Sequence, residues 1–205
     1  MKIAVLIEGQ TERAFLPHLR RFLETRLAGQ MPRLDPVPYD SRIPTGERLR
    51  RHVDRLLRSG RFPADAVIAL TDVYTGTGEF QDAEDAKNKM RDRVGENTRF
   101  YPHAAQYEFE SWLLPFWGTI QRLAGHNMGA PGGPPEAVNL TRPPSFRIKE
   151  VFRAGSRGRD YVKPRDADRI LRENDFLLAA QACPELRALL NTILGLCGGE
   201  CVQAA

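Results

Sequence analysis

With 205 residues, 41% of them apolar, and a formal net charge of +4, the chain has the size and composition of one soluble α/β domain that can bury a core unaided. No apolar run approaches the roughly 18 residues of a membrane span, and Met1-Lys2 followed by Ile3 to Ile7 and then Glu8 is too short and too acidic for a signal peptide, so a cytoplasmic location is expected. Cys183, Cys197 and Cys201 form no CxxC pair and have no histidines at finger spacing, which argues against a disulfide framework and against structural zinc.

Ile3 to Ile7 read as an apolar strand that runs straight into Glu8-Gly9-Gln10-Thr11-Glu12. Thr11 is placed as an N-cap, and Phe15, Leu16, Leu19, Phe22, Leu23 and Leu27 recur at helical spacing up to Gly29. Leu34 to Tyr39 contains Pro36 and Pro38 and can be at most a short edge strand, because proline cannot donate to a ladder. A second helix is predicted over Thr45 to Ser59, with Leu49, Val53, Leu56 and Leu57 on one face and Arg48, Arg50, Arg51, Arg55 and Arg58 around the other. Ala64 to Leu70 is apolar on both alternations, as a central strand of a parallel sheet must be. Thr71 to Asp82 reads as a loop, Ala83 to Val94 as a helix and Arg99 to Gln106 as a third main strand. From Glu110 a helix begins that Pro115 interrupts, and its aromatics Phe109, Trp112, Phe116 and Trp117 are spaced as core. Gly125 to Pro135 reads as a lid or connector, and Phe146 to Leu196 as helices separated by a basic stretch, Arg153 to Arg165.

This alternation predicts an α/β fold: a three-layer, mostly parallel Rossmann-like sheet with right-handed crossovers and a helical C-terminal extension. The expected division is a core over residues 1–118 and a helical region over 119–205, packed as one unit. Ligands of such sheets bind outside the carboxyl ends of the strands, and three ends here deliver acids: Glu8 with Glu12, Asp72, and Glu108 with Glu110. Carboxylates crowded at one point repel unless a divalent cation neutralises them, and a site made of oxygens alone favours Mg²⁺ or Mn²⁺ over zinc. The plainer alternative is that Glu8 and Glu12 only complement a helix dipole while Asp72 caps a loop.

Two arginine-rich stretches, Arg42 to Arg61 and Arg147 to Arg169, carry few aromatics and no base-reading signature. In a groove they would hold the backbone of DNA or RNA; otherwise they are solvated faces paired with acids such as Asp160, Asp166 and Asp168. Arg147 and Lys149, with Arg157 and Arg159 further along, are the candidates for clamping phosphates, and Lys163 for holding charge at a reacting phosphoryl group. His18, His52, His103 and His126 form no catalytic spacing, and neither a P-loop nor a GxGxxG fingerprint is present.

The strand leading into Glu8-Gly-Gln-Thr-Glu12, the Asp72 that ends the next apolar strand, and Glu108-Phe-Glu-Ser-Trp-Leu113 resemble the Toprim fold of topoisomerases, primases and OLD-type nucleases. Asp72-Val-Tyr74, Tyr107-Glu-Phe-Glu110, Pro144-Ser-Phe-Arg147 and Tyr161-Val-Lys163 are more closely similar to the small stand-alone proteins of domain of unknown function 4276. The resemblance implies a Mg²⁺- or Mn²⁺-dependent nuclease or phosphodiesterase, serving bacterial defence against phage or mobile elements beside a partner ATPase. It makes Glu8 a metal ligand or general acid/base with Glu12 beside it, Asp72 a metal ligand, and Glu110 or Glu108 a further oxygen donor. The Asp-x-Asp pattern of the wider fold is broken by Tyr74. That break keeps open a non-catalytic module that binds nucleic acid or a partner ATPase, and, as a third reading, an enzyme acting on free nucleotides.

Overall fold

The computed structural model describes residues 1–29, 31–39, 42–60, 63–138, 142–156 and 158–204. Its sheet has four parallel strands, β1 (Lys2–Ile7), β2 (Arg33–Pro38), β3 (Ala66–Asp72) and β4 (Phe100–Ala105), in the order β2-β1-β3-β4. The apolar strands β1 and β3 lie side by side in the centre, where both faces are covered, and proline-bearing β2 takes an edge. After β1 the chain steps to one side to form β2, then returns past β1 to form β3. The gap between β1 and β3 is therefore the point where strand order reverses, which is where sheets of this kind open a crevice at their carboxyl ends.

The side chains of β1 and β3 alternate between two cores. Ile3, Val5, Ile7, Ile68 and Leu70 face α1 (Gln10–Glu24), a 3₁₀ segment (Phe109–Phe116) and the C-terminal helices α4 (Trp117–Ala124), α5 (Pro144–Ala154), α6 (Lys163–Arg172), α7 (Phe176–Ala182) and α8 (Pro184–Leu196). Ala4, Leu6, Val67 and Ala69 face α2 (Gly46–Arg58) and α3 (Ala83–Val94). The result is the expected three-layer α/β arrangement. One apolar cluster runs from β1 through α8, so residues 119–204 complete the core of the first 118. Phe109, Trp112, Phe116 and Trp117 are buried in it, with Phe15, Phe109 and Trp112 in mutual ring contact.

Several local expectations are corrected. The N-cap of α1 is Gly9, not Thr11, because the chain must turn from strand to helix within two residues; Thr11 is inside the first turn and buried. A Cβ on Gly9 would lie 3.0 Å from Glu12 Oε2, so the glycine makes room for that carboxylate. The helix ends at Glu24, before the turn containing Gly29. Pro115 falls in a 3₁₀ segment, not an interrupted α-helix, and the regular helix begins only after it. Lys163 and Arg165 form the first turn of α6 where a basic connector was expected. The segment from Gly125 to Pro135 is strapped down: Trp117 Nε1 and Gln121 Nε2 each donate to the Met128 carbonyl at 2.8 Å. At its end, Glu136 accepts from Trp112 Nε1 at 2.9 Å and from the Glu185 amide at 3.0 Å. Gly155 marks the tightest approach, since a Cβ there would meet the Ala124 carbonyl oxygen at 2.0 Å and force α5 off α4. Among the described residues, no helix is long and apolar enough to cross a membrane.

Candidate active site

Because β1 and β3 are neighbours in register, Glu8 and Asp72 emerge side by side from their carboxyl ends. The Asp72 amide donates to Glu8 Oε2 at 3.3 Å, while Glu8 Oε1 accepts from the Thr71 hydroxyl at 2.8 Å and the Ile43 amide at 3.1 Å. Glu12 stands in the first turn of α1. Glu110 comes from the 3₁₀ segment after β4, and Lys163 from the start of α6. These side chains line one cavity of about 380 Å³, with Tyr74 and Thr75 on its wall.

The electrostatics of this cavity are unbalanced. Burial raises the pKa of Glu8 against the lowering effect of its three hydrogen bonds and the Arg42 charge. Glu12 is also raised, by burial first and by Glu8, with Lys163 opposing. Asp72 is raised well above the ordinary carboxylate range by its desolvation and then by Glu12, Glu110 and Glu8. Glu110, fully buried, is raised by burial and by Glu108, although Lys163 Nζ is 3.1 Å from its Oε2. Burial would lower the Lys163 ammonium, but Glu110, Glu108 and Asp72 outweigh it and the net shift is upward. Four carboxylates thus share one resident cation, a lysine fixed between Glu110 and, at 3.6 Å, Glu108.

The donor chemistry fits a hard divalent cation, since every acid in the cavity offers oxygen and the negative charge is in excess. As placed, however, no three His, Cys, Asp or Glu side chains among the described residues meet closely enough to grip an ion ready-made.

Of the two acids after β4, it is Glu110 that lines the cavity. Glu108 is occupied in starting α5, accepting from the Ser145 amide at 2.9 Å and the Ser145 hydroxyl at 3.0 Å. Tyr74 has its hydroxyl buried without a hydrogen-bond partner, and its ring lies 5.2 Å from that of Tyr107, which holds a left-handed backbone at φ 68°. Arg147 and Lys149 lie half-buried on α5, Arg147 with an unpartnered Nε. Arg159 donates twice to Asp166, at 2.8 and 2.9 Å, and stacks over Phe152, while Arg157 lies outside the described residues. Sequence reasoning missed two supporting groups. The Thr71 hydroxyl was signalled only by its place beside Asp72 at a strand end. Tyr161, whose hydroxyl donates to Glu110 Oε1 at 3.4 Å, stood in the Tyr161-Val-Lys163 motif but was given no role in the site.

A family model described as a domain of unknown function (DUF4276) matches residues 7–194. The chain belongs to this family. The match takes in every residue that lines the cavity, from Glu8 to Pro164. No curated protein matches this DUF4276 chain in sequence. Among solved structures, it is similar to the C-terminal region of the Burkholderia pseudomallei OLD protein, at 12% identity and a TM-score of 0.48, covering 96% of this chain and 98% of that one. It is also similar to the C-terminal region of the Xanthomonas campestris pv. campestris OLD protein, at 11% identity and a TM-score of 0.46, covering 96% of each.

Proposed function

We propose that this protein is a Mg²⁺- or Mn²⁺-dependent nuclease or phosphodiesterase of the Toprim-like kind. The observation that carries the reading is the cavity in which Glu8, Glu12, Asp72 and Glu110 converge from three strand ends beside Lys163, all four raised in pKa by burial and two of them, Glu12 and Asp72, also by other acids of the group. Such an arrangement costs folding energy and is relieved by a second cation. Asp72, Glu8 and Glu110 are the residues that would hold it. When bound there, a divalent ion would supply Lewis acidity toward a phosphoryl oxygen and would make a nearby water more acidic.

The chain's own groups supply the rest. Lys163, held charged by its acids, neutralises oxygens of the scissile phosphate as negative charge develops. Glu12, desolvated and raised, is placed to take or return a proton at the attacking water. The Thr71 hydroxyl and the Ile43 and Asp72 amides hold Glu8 in one orientation. Nucleic acid as substrate, a partner ATPase and a role in bacterial defence follow from the Toprim-like motifs, not from the cavity itself.

The test is incubation of purified protein with Mn²⁺ or Mg²⁺ and labelled DNA and RNA, with free nucleotides as a separate arm. Cleavage that disappears in Glu8→Ala while the Tm stays nearly level supports the reading, and intact substrates throughout overturn it. Two observations favour a second reading, the non-catalytic module: Tyr74 stands where the wider Toprim pattern has a second acid, and no three acids among the described residues close on one point. That module predicts no heat on calorimetric titration with Mn²⁺.

A further inference from the structure

The two arginine-rich stretches look alike in sequence and differ in three dimensions. In the later one, Arg153 faces Asp160 at 3.0 Å and Arg159 and Arg165 share Asp166, while just beyond it Arg172 faces Asp168 at 3.7 Å; Arg147 and Arg169, which face no carboxylate among the described residues, are half-buried. In α2, Arg50 faces Glu47 at 3.6 Å and Arg58 faces Asp54 at 3.8 Å. Among the described residues, Arg48, Arg51 and Arg55 face no carboxylate.

At about 100° per residue these three arginines fall within an arc of about 60°, pointing roughly 170° away from Leu49, Val53 and Leu57, which anchor α2 in the core. All three are exposed. They form a stripe about 10 Å long, enough to follow about three phosphates of one strand.

The stripe is tied to the acidic cavity. The Ile43 amide bonded to Glu8 leads within three residues to the first turn of α2. Tyr39, whose amide donates to the Ile7 carbonyl at 2.8 Å, bonds His52 Nδ1 through its hydroxyl at 2.6 Å, and Arg55 reaches the other ring nitrogen of His52 at 3.3 Å. The charges of Arg55 and Arg48 are felt at that same tyrosine. Burial and Arg55 keep His52 below its ordinary pKa, so it does not supply a competing proton-dependent charge at neutral pH. Among the described residues, the exposed large apolar ones, Met1, Phe146, Val162 and Leu178, are all elsewhere, so the helix α2 itself presents none to a lipid surface.

We infer that the Arg48–Arg51–Arg55 stripe of α2 is the surface that binds the phosphate backbone of nucleic acid and leads it to the cavity at Glu8. For its substrate class this rests on the nuclease reading, yet binding is measurable without cleavage. Recognition is sequence-neutral and salt-sensitive, because guanidinium groups on an outward helix face contact phosphates and no base edge.

The experiment is fluorescence anisotropy of the full chain with labelled DNA duplex and single-stranded RNA, in EDTA, from about 50 to 200 mM KCl. Arg48→Ala/Arg51→Ala/Arg55→Ala is compared with Arg20→Ala/Arg153→Ala/Arg172→Ala, which removes equal charge from arginines that already face acids. The stripe variant is expected to bind at least about tenfold more weakly at low salt, with a log–log salt slope on duplex shallower by about 2–3. The control is expected to stay within about threefold. Alanine at exposed helix positions favours the helix, so the variant's Tm should not fall. Wild-type protein that binds neither polymer, a stripe variant with wild-type affinity and slope, equal loss in the control, or binding only to phosphatidylserine vesicles would each overturn the assignment. Stripe-dependent binding without Mn²⁺-dependent cleavage sinks the nuclease reading alone. Cleavage with stripe-independent binding sinks the stripe alone.

Discussion

Two groups of buried acids flank the first turn of α6, and they behave in opposite ways. Asp166 is fully buried, and desolvation alone would raise its carboxyl; Arg159, Arg165 and the Val162 amide at 2.8 Å bring it below the ordinary carboxylate range. Three residues earlier in the same turn, Lys163 is, among the described residues, the cation that lines the cavity of Glu8, Glu12, Asp72 and Glu110, with the Arg42 charge acting on Glu8 from beyond it, and those carboxyls all rise. Two things differ: the cavity acids lie deeper and lose more of their hydration, and they have less positive charge per carboxylate than Asp166 has in its two arginines. One cluster is solved by the chain itself and contributes stability. The other is left short of cations, which is the signature expected of a site that works with an added one.

The sharpest way to break this contrast is Asp72→Ala, which should lower Mn²⁺-dependent cleavage by at least about 10³-fold, roughly 4 kcal/mol of transition-state stabilisation. Activity within tenfold of wild type would place the chemistry elsewhere. Lys163→Met should cost about 10²-fold in cleavage while Mn²⁺ still produces heat on titration, because the lysine meets the substrate's charge and not the metal. On the other side, Asp166→Ala should destabilise by about 2–3 kcal/mol, the loss being tempered by the partial exposure of both arginines, and is read as a fall in Tm.

The smallest effect is the most diagnostic of sign. Asp72→Asn should stabilise by about 1 kcal/mol near neutral pH, since it removes a charge the folded state disfavours. A carboxyl whose folded pKa is raised contributes stability that is complete below its unfolded value, near 3.8, and lost as pH rises through the folded value. The Asp72→Asn gain should therefore vanish on acidification. Asp166 runs the other way: its folded pKa is lowered, so its contribution is present above about 3.8 and lost as pH falls through the folded value, and Asp166→Asn should be most harmful at neutral pH. Melting each variant against wild type at several pH values checks both. His103, kept neutral down to about 3 by burial and the nearby Lys87 and Arg91 charges, adds the same acid lability to each protein and cancels in the difference.

The strands, the two faces of α2 and the aromatic core were legible because apolar periodicity is written locally: β3 is apolar on both alternations, and Leu49, Val53 and Leu57 mark one side of α2. The acids at the strand ends were legible for the same reason. The start of α6 was not, because Lys163 sits among arginines and aspartates whose pairing depends on which helix turn they enter. Nor could spacing reveal that Glu108 would be taken up by Ser145 while Glu110 entered the cavity, since the two differ only in which side of the 3₁₀ entry they face.

By itself the sequence determined that acids would end the strands and that two basic stretches existed, because side-chain type and local period decide those things. Only the tertiary structure decided which charges found partners. Pairing across the fold is set by distances between side chains in three dimensions, and among the described residues it gave Arg153, Arg159 and Arg165 of the later stretch acids, left the α2 stripe facing no carboxylate, and gathered four acids into one cavity with Lys163.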